Sequence, residues 1–261
     1  MLDSLPPARR RLVVGVAALV ALAVLAVAAV VVSRTLTSPD PVPQDRLGPV
    51  VVVPGYGGGT VALRPLVLGL RNIGREVSVL PPDGDNTGDL DAQAQRLTVF
   101  VDGILERSGA PSVDVVGYSA GGVVARIWVR DQGGASKARR VLTVGSPHHG
   151  TTVAALATQA VGCPVACEQL DPDSDVLRRL NAGDETPDGP LWATVRSTSD
   201  QVVTPTDSAS LEGARDVLVQ DLCPDAATSH GELPGDPVTL ALLESALGSA
   251  PPAAPRDVDC G

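Results

Sequence analysis

Aromatic side chains are almost missing: two Trp, two Tyr and one Phe serve 261 residues. The core must therefore be built from Val, Leu, Ala and Ile, and any ligand pocket must be largely aliphatic. Lysine is reduced to Lys137, and the formal charge is −10. The arginines are scattered and have no aromatic partners along the chain, so a nucleic-acid surface is excluded. There is no G-x-x-x-x-G-K-S/T. Gly55, Gly57, Gly58 and Gly59 do not form G-x-G-x-x-G either, because Val61 and Ala62 follow Thr60, which argues against a phosphate-binding glycine loop. Histidine occurs three times, as His148, His149 and His230, and never at ligand spacing near a cysteine. No metal is expected on that account, and no organic cofactor is indicated. The acidic run Asp171–Asp175 reads as a solvated helix start rather than a calcium loop.

The N-terminus carries a long apolar run. Arg9, Arg10 and Arg11 precede Leu12 to Val32, roughly 21 residues without a charge. That length spans a bilayer as a helix and exceeds the apolar region of about 7–15 residues in a cleaved signal. The arginines stay on the cytoplasmic side, which places the remainder outside. Residues 1–33 are accordingly expected to be a signal anchor that makes the membrane a partner and holds the rest at the cell membrane. Cleavage within the run, with secretion, is the alternative. All four cysteines lie beyond the run and fit export as two disulfides. The most local pairing is Cys163–Cys167, closing CPVAC; Cys223–Cys260 then ties the C-terminal tail to the body.

Residues 34–47 are rich in Pro, Ser and Asp and read as a linker. A single domain follows over 48–249, then a Pro-rich tail over 250–261. Within the domain, short apolar runs at Pro49–Val53, Val77–Leu80, Val113–Gly117, Val141–Val144, Leu191–Ser197 and Asp216–Val219 alternate with helical spacing at Val61–Ile73, Asp89–Arg107, Gly122–Arg130 and Pro237–Leu247. That alternation predicts an α/β fold: about six mostly parallel strands with helices on both faces. Sites in such sheets form at the carboxyl ends of the strands.

The stretch VDVVGYSAGGVVARIWVR, Val113–Arg130, places Gly117, Ser119 and Gly121 in G-x-S-x-G between a strand and a helix. The pattern makes a sharp turn that lifts a nucleophilic hydroxyl. A serine needs a base, usually a His oriented by a carboxylate. His148 and His149 follow too soon after the nucleophile strand; only His230, in ATSHGELP, lies beyond the last strand. Asp200 stands just past the penultimate strand in LWATVRSTSD, with Asp207 the more distant runner-up. The first strand ends in Pro54-Gly-Tyr-Gly-Gly-Gly59, whose small residues let N–H groups turn toward an oxyanion. The N–H of Ala120, after the serine, is one expected donor and that of Tyr56 the other.

With PGYGGG, GYSAGG, GSPHHGT, TSDQVVTP and SHGELP in hand, the chain resembles the small bacterial secreted lipases and esterases of the α/β-hydrolase superfamily, of the lipase class 2 type. The resemblance runs from about Val50 to Leu247 and implies the minimal α/β-hydrolase fold. It implies catalytic Ser119, Asp200 and His230, an oxyanion hole at Tyr56 and Ala120, and a supporting role for His149. Many relatives carry His where Pro54 stands and Met or Gln where Ala120 stands; the donors are backbone groups, so neither change removes them. The implied function is cleavage of carboxylic esters, as an esterase or triacylglycerol lipase, by a monomer acting on an ester or lipid substrate. Acyl transfer or thioester cleavage with the same residues, and a non-catalytic anchored binding domain, are the alternatives.

Overall fold

Four consecutive valines, Val50–Val53, form the first strand, β1, and all four are buried. Such a run suits a strand covered on both faces. Val50 and Val52 enter one apolar layer, Val51 and Val53 the other, as the two-residue period of a strand requires. The computed structural model describes residues 7–37, 42–160 and 162–260. It comprises two units, 1–39 and 40–261, each treated by itself.

In the larger unit β1 joins β2 (Val77–Val79), β3 (Val113–Tyr118), β4 (Ala138–Val144), β5 (Leu191–Arg196) and β6 (Arg215–Leu218). The sheet order is β2-β1-β3-β4-β5-β6, and every pairing is parallel. All six expected strands are present. The helix α2 (Arg64–Asn72) and the last helix, α9 (Pro237–Leu247), cover the face of Val50, Val52, Val116 and Val195. The helices α3 (Leu90–Ser108) and α4 (Ala120–Asp131) cover the face of Val51, Val53, Val115 and Val141. Local signals set the ends of these helices. The Asp89 carboxylate caps α3 at Ala92 N, and Gly109 stops it at φ +66°. Asp236 caps α9 at Val238 N and Thr239 N, with Pro237 in the first turn.

The chain leaves β1 for the edge strand β2, then returns to β3 on the other side of β1. Strand order reverses there, at the carboxyl ends of β1 and β3, the place where such sheets form their sites. This reversal positions the site. Between β4 and β5 lie three short helices, α5 (Thr152–Ala160), α6 (Val165–Gln169) and α7 (Asp175–Leu180); α8 (Val219–Leu222) follows β6. α5 is tied to the loop after β5, with Thr152 N donating to Thr204 O. α6 is tied to the start of α3, with the Gln169 side chain bonded to Leu90 N and Asp89.

Several boundaries differ from expectation, α2 starting at Arg64 rather than Val61 among them; two matter most. β4 begins at Ala138, three residues before Val141, because Arg139 and Arg140 are buried. The other concerns α1 (Pro7–Thr37), which contains the expected span Leu12–Val32 and runs on through 34–37, the start of the expected linker. Side chains of α1 are described at 9, 11 and 15–28, and those at 15–28 are exposed. Among the described residues no helix is long and apolar enough to cross a membrane; the side chains of the expected span at 12–14 and 29–32, and residues 38–41 of the linker, lie outside the description.

The cysteines pair as Cys163–Cys167 and Cys223–Cys260. The second bridge closes a separation of 37 residues, worth about 2–4 kcal/mol in the chain-entropy picture. The loop between Cys223 and His230 has ties of its own: Ser197 Oγ donates to Thr228 O, and Gln220 Nε2 to Ala226 O. Cys260→Ser is therefore expected to lower the unfolding free energy by about 2–4 kcal/mol without changing the fold. Urea denaturation and circular dichroism on the same preparation check both halves.

Candidate active site

Ser119 sits at the turn from β3 into α4 with φ 53° and ψ −130°, a region that costs a non-glycine residue about 1–3 kcal/mol. The glycines around it permit close approach. A Cβ on Gly117 would lie 2.5 Å from Gly122 Cα; one on Gly121 would lie 2.2 Å from Val53 O. The first turn of α4 thus rests directly on the end of β1. Gly55, just past β1, lies against the serine: a Cβ there would be 2.8 Å from Ser119 Cβ.

His230 Nε2 is 3.0 Å from Ser119 Oγ, and its Nδ1 is 2.7 Å from Asp200 Oδ2. The second carboxylate oxygen of Asp200 accepts from Val202 N at 2.8 Å and Val203 N at 2.9 Å. Both His230 and Asp200 are buried. Residues separated by 30 and 111 positions along the chain therefore form one hydrogen-bonded line at the carboxyl ends of β3 and β5. Asp207 is elsewhere. Its side chain is 83% exposed and pairs with Arg196. Ala120 opens α4, where the first N–H groups have no intrahelical acceptor. Tyr56 follows Gly55 in the loop after β1, and among the described residues its N–H has no acceptor.

Several residues of the site escape sequence reading. The Tyr118 hydroxyl donates to His230 O at 3.1 Å, and the two rings stack at 5.2 Å. Burial, reinforced by the Asp200 charge, pushes the Tyr118 phenol up to about 12, so it stays a donor. Gln220 joins the loops of Asp200 and His230: its Oε1 accepts from Thr198 N, and its Nε2 donates to Ser197 Oγ and Ala226 O. Asn86, on the connection from β2 to α3, donates to Gly55 O.

The other two histidines do not hydrogen-bond Ser119. His149 Nε2 meets Glu185 Oε1 at 2.7 Å, and its Nδ1 faces Ser208 O, which pins the loop after β4. His148 is fully buried, with Nε2 on Thr143 Oγ1 at 2.9 Å and no partner for Nδ1. Burial, with the Arg126 guanidinium and His149 nearby, holds its imidazole well below the usual histidine range. The unfolded chain therefore takes up this proton first as pH falls. The stability contributed by neutral His148 is complete above about pH 6.5 and is lost below it. The expected slope is up to about 1.4 kcal/mol per pH unit. Urea midpoints from pH 7.5 to 5.5 should show it in the natural chain and show a shallower slope in His148→Gln; parallel curves would remove His148 as the cause.

Residues 92–222, half of the chain, match the family model Lipase (class 2). The matched stretch holds Ser119, Ala120 and Asp200; Tyr56 and His230 lie outside it. Lipase B of Aspergillus fumigatus superposes with a TM-score of 0.70 at 20% identity over 83% of this chain. The chain spans 56% of that lipase's length. The mature form of the Bacillus licheniformis lipase BlEst2 gives 0.65 at 18% identity, over 81% of this chain and 95% of that one. At these identities the likeness is one of fold, and the fold is the α/β-hydrolase fold.

Proposed function

The chain belongs to the lipase (class 2) family, and we propose that it cleaves carboxylic esters through an acyl-enzyme on Ser119. One observation carries the reading: the unbroken line from Ser119 Oγ through His230 to Asp200, with contacts of 3.0 and 2.7 Å. His230 Nε2 takes the hydroxyl proton as Oγ attacks the ester carbonyl, and the Asp200 carboxylate stabilises the imidazolium that forms. The N–H groups of Ala120 and Tyr56 hold the oxyanion. His230 then protonates the departing alcohol, and a water activated by the same nitrogen releases the acid. The strained backbone of Ser119 lifts its hydroxyl clear of the sheet end.

Exposed apolar side chains on the same edge of the sheet support an apolar acyl group. They are Tyr56 and Val61 after β1, Val153 and Leu156 on α5, and Val202 after β5. The residues between β4 and β5 form three short helices rather than one long cover, which favours an esterase or small lipase. The apolar run Leu12–Val32 supports placement of this activity outside the cell membrane by an N-terminal anchor.

A fluorophosphonate probe and a series of p-nitrophenyl and glycerol esters test the reading. The expected result is covalent labelling at Ser119 and turnover that Ser119→Ala abolishes. Labelling elsewhere, or turnover surviving in Ser119→Ala, overturns it. Recovery in the soluble fraction of cells producing the full chain would remove the anchor.

A further inference from the structure

Two residues other than glycine have a left-handed backbone among the described residues: Ser119, at φ 53°, and Asn86, at φ 56°. The second lies in the PPDGDNTGD connection between β2 and α3, 31 positions from the Gly55 whose carbonyl it binds. Asn86 is only 5% exposed. Its Nδ2 donates to Gly55 O at 3.0 Å, and the loop carrying Gly55 packs upon it: a Cβ on Gly58 would lie 3.1 Å from Asn86 Cβ and 2.8 Å from Pro82 Cβ.

The acceptor matters because of what shares its plane. Gly55 O and Tyr56 N belong to one peptide group. That group is planar and trans, so its N–H points opposite to its C=O. Whatever holds the Gly55 carbonyl therefore aims the Tyr56 N–H. Two donors hold it: Gly58 N at 3.1 Å, within the same tight turn, and Asn86, from another crossover. The turn alone is soft, since Gly55, Gly57 and Gly58 flank or form it, and glycine visits both signs of φ at little cost. Gly57 and Gly58 already sit at φ +82° and +62°. Gly55 meanwhile lies against Ser119, where a Cβ would be 3.3 Å from Oγ, so the peptide in question borders the nucleophile.

We infer that Asn86 is a positioning residue that fixes the Gly55–Tyr56 peptide with its N–H toward the reacting carbonyl. The inference rests on the esterase reading and deepens it. The residue type fits the task on two counts. Asparagine tolerates the left-handed region better than most side chains, and its amide is a donor. Aspartate keeps the shape and the backbone preference but presents only acceptors. In Asn86→Asp the carbonyl is repelled, and a rotated peptide would turn the Tyr56 N–H toward the new carboxylate, away from the oxyanion.

Asn86→Asp is therefore expected to lower kcat about 100- to 1000-fold, the loss associated with one oxyanion donor, with KM changed less than about threefold. Affinity for an aryl boronic acid, which forms a tetrahedral adduct on the serine, should fall in parallel with kcat. Asn86→Gly keeps the backbone freedom, removes the donor without adding charge, and should move both quantities in the same direction by a smaller factor. A purely structural role would lower the melting temperature and leave kcat per folded molecule unchanged. As a measurement that needs no variant, the Tyr56 amide proton of the natural chain should shift downfield when the boronic acid binds. Ser119-dependent turnover with kcat of Asn86→Asp within threefold of the natural chain overturns the role of Asn86 and leaves the esterase reading standing. So does a Tyr56 amide that does not respond to the adduct. Absence of Ser119-dependent turnover in the natural chain overturns both.

Discussion

Ser119→Ala and His230→Ala are each expected to lower kcat by roughly 10⁴ to 10⁶, and the double variant to lose little more, because the pair acts as a unit. Asp200→Asn should cost about 10⁴ through a route the geometry makes specific. The Asp200 Oδ1 position accepts from Val202 N and Val203 N. An amide at 200 must keep its oxygen there, so its NH₂ faces His230 Nδ1. That nitrogen then becomes the acceptor and the imidazole proton moves to Nε2, where it cannot accept from Ser119. The fold should be preserved in all three variants, and residual activity should rise in Asp200→Asn at high pH, where hydroxide substitutes for the base. Single-turnover kinetics with a p-nitrophenyl ester measure the acylation step directly. If His149→Ala abolished activity while His230→Ala retained it, the base would be misassigned; the geometry speaks against that outcome, since both ring nitrogens of His149 face Glu185 and Ser208.

That Ser119, Asp200 and His230 come together was legible in the sequence because each follows a strand whose apolar run is visible, and because chain order leaves one histidine and two aspartates, Asp200 and the more distant Asp207. Position relative to a strand end is a local property. The residues that steady them are not local. Tyr118 touches a carbonyl 112 positions away, and Asn86 touches one 31 positions away past the neighbouring strand; neither has a neighbour in sequence that betrays the contact. A Tyr in the elbow and an Asn in an acidic loop look like a core residue and a turn residue. The left-handed backbone of Asn86 was a signal in principle, since Asp-Gly-Asp-Asn is turn chemistry, but nothing local says which turn or what it faces. The same holds for Gln220, whose three hydrogen bonds join loops that meet only once the sheet is assembled. The start of β4 was missed for a different reason: arginines at 139 and 140 carry the polarity of a loop, and their burial depends on a carboxylate from another strand.

That carboxylate supplies the largest expected effect on stability. Asp114, the second residue of β3, is fully buried. Its Oδ2 receives Arg75 Nη2 and Arg139 Nη2, both at 2.5 Å. The guanidiniums do more than neutralise it. Arg75 also donates to Leu247 O and Gly48 O, Arg139 to Leu247 O and Gly248 O, and Arg140 to Ala246 O and Ala250 O. Gly48 O precedes β1; the other carbonyls belong to the end of α9 and the start of the tail, where the last turn of a helix has no acceptor-satisfying N–H of its own and carries partial negative charge. The cluster thus closes the amino-terminal edge of the sheet, at the opposite end from Ser119, and fastens α9, whose first turn follows the His230 loop. In Asp114→Asn two buried guanidiniums lose their counter-charge, and the expected loss is about 3–5 kcal/mol. Pairing it with Arg139→Met removes one of the stranded charges and should recover part of that loss, a coupling that additive effects would not produce. Urea denaturation of the two singles and the double closes the cycle. Because the cluster touches none of the reacting groups, kcat of the folded fraction should remain within about twofold; a large fall in kcat with stability unchanged would contradict the separation of the two ends of the sheet.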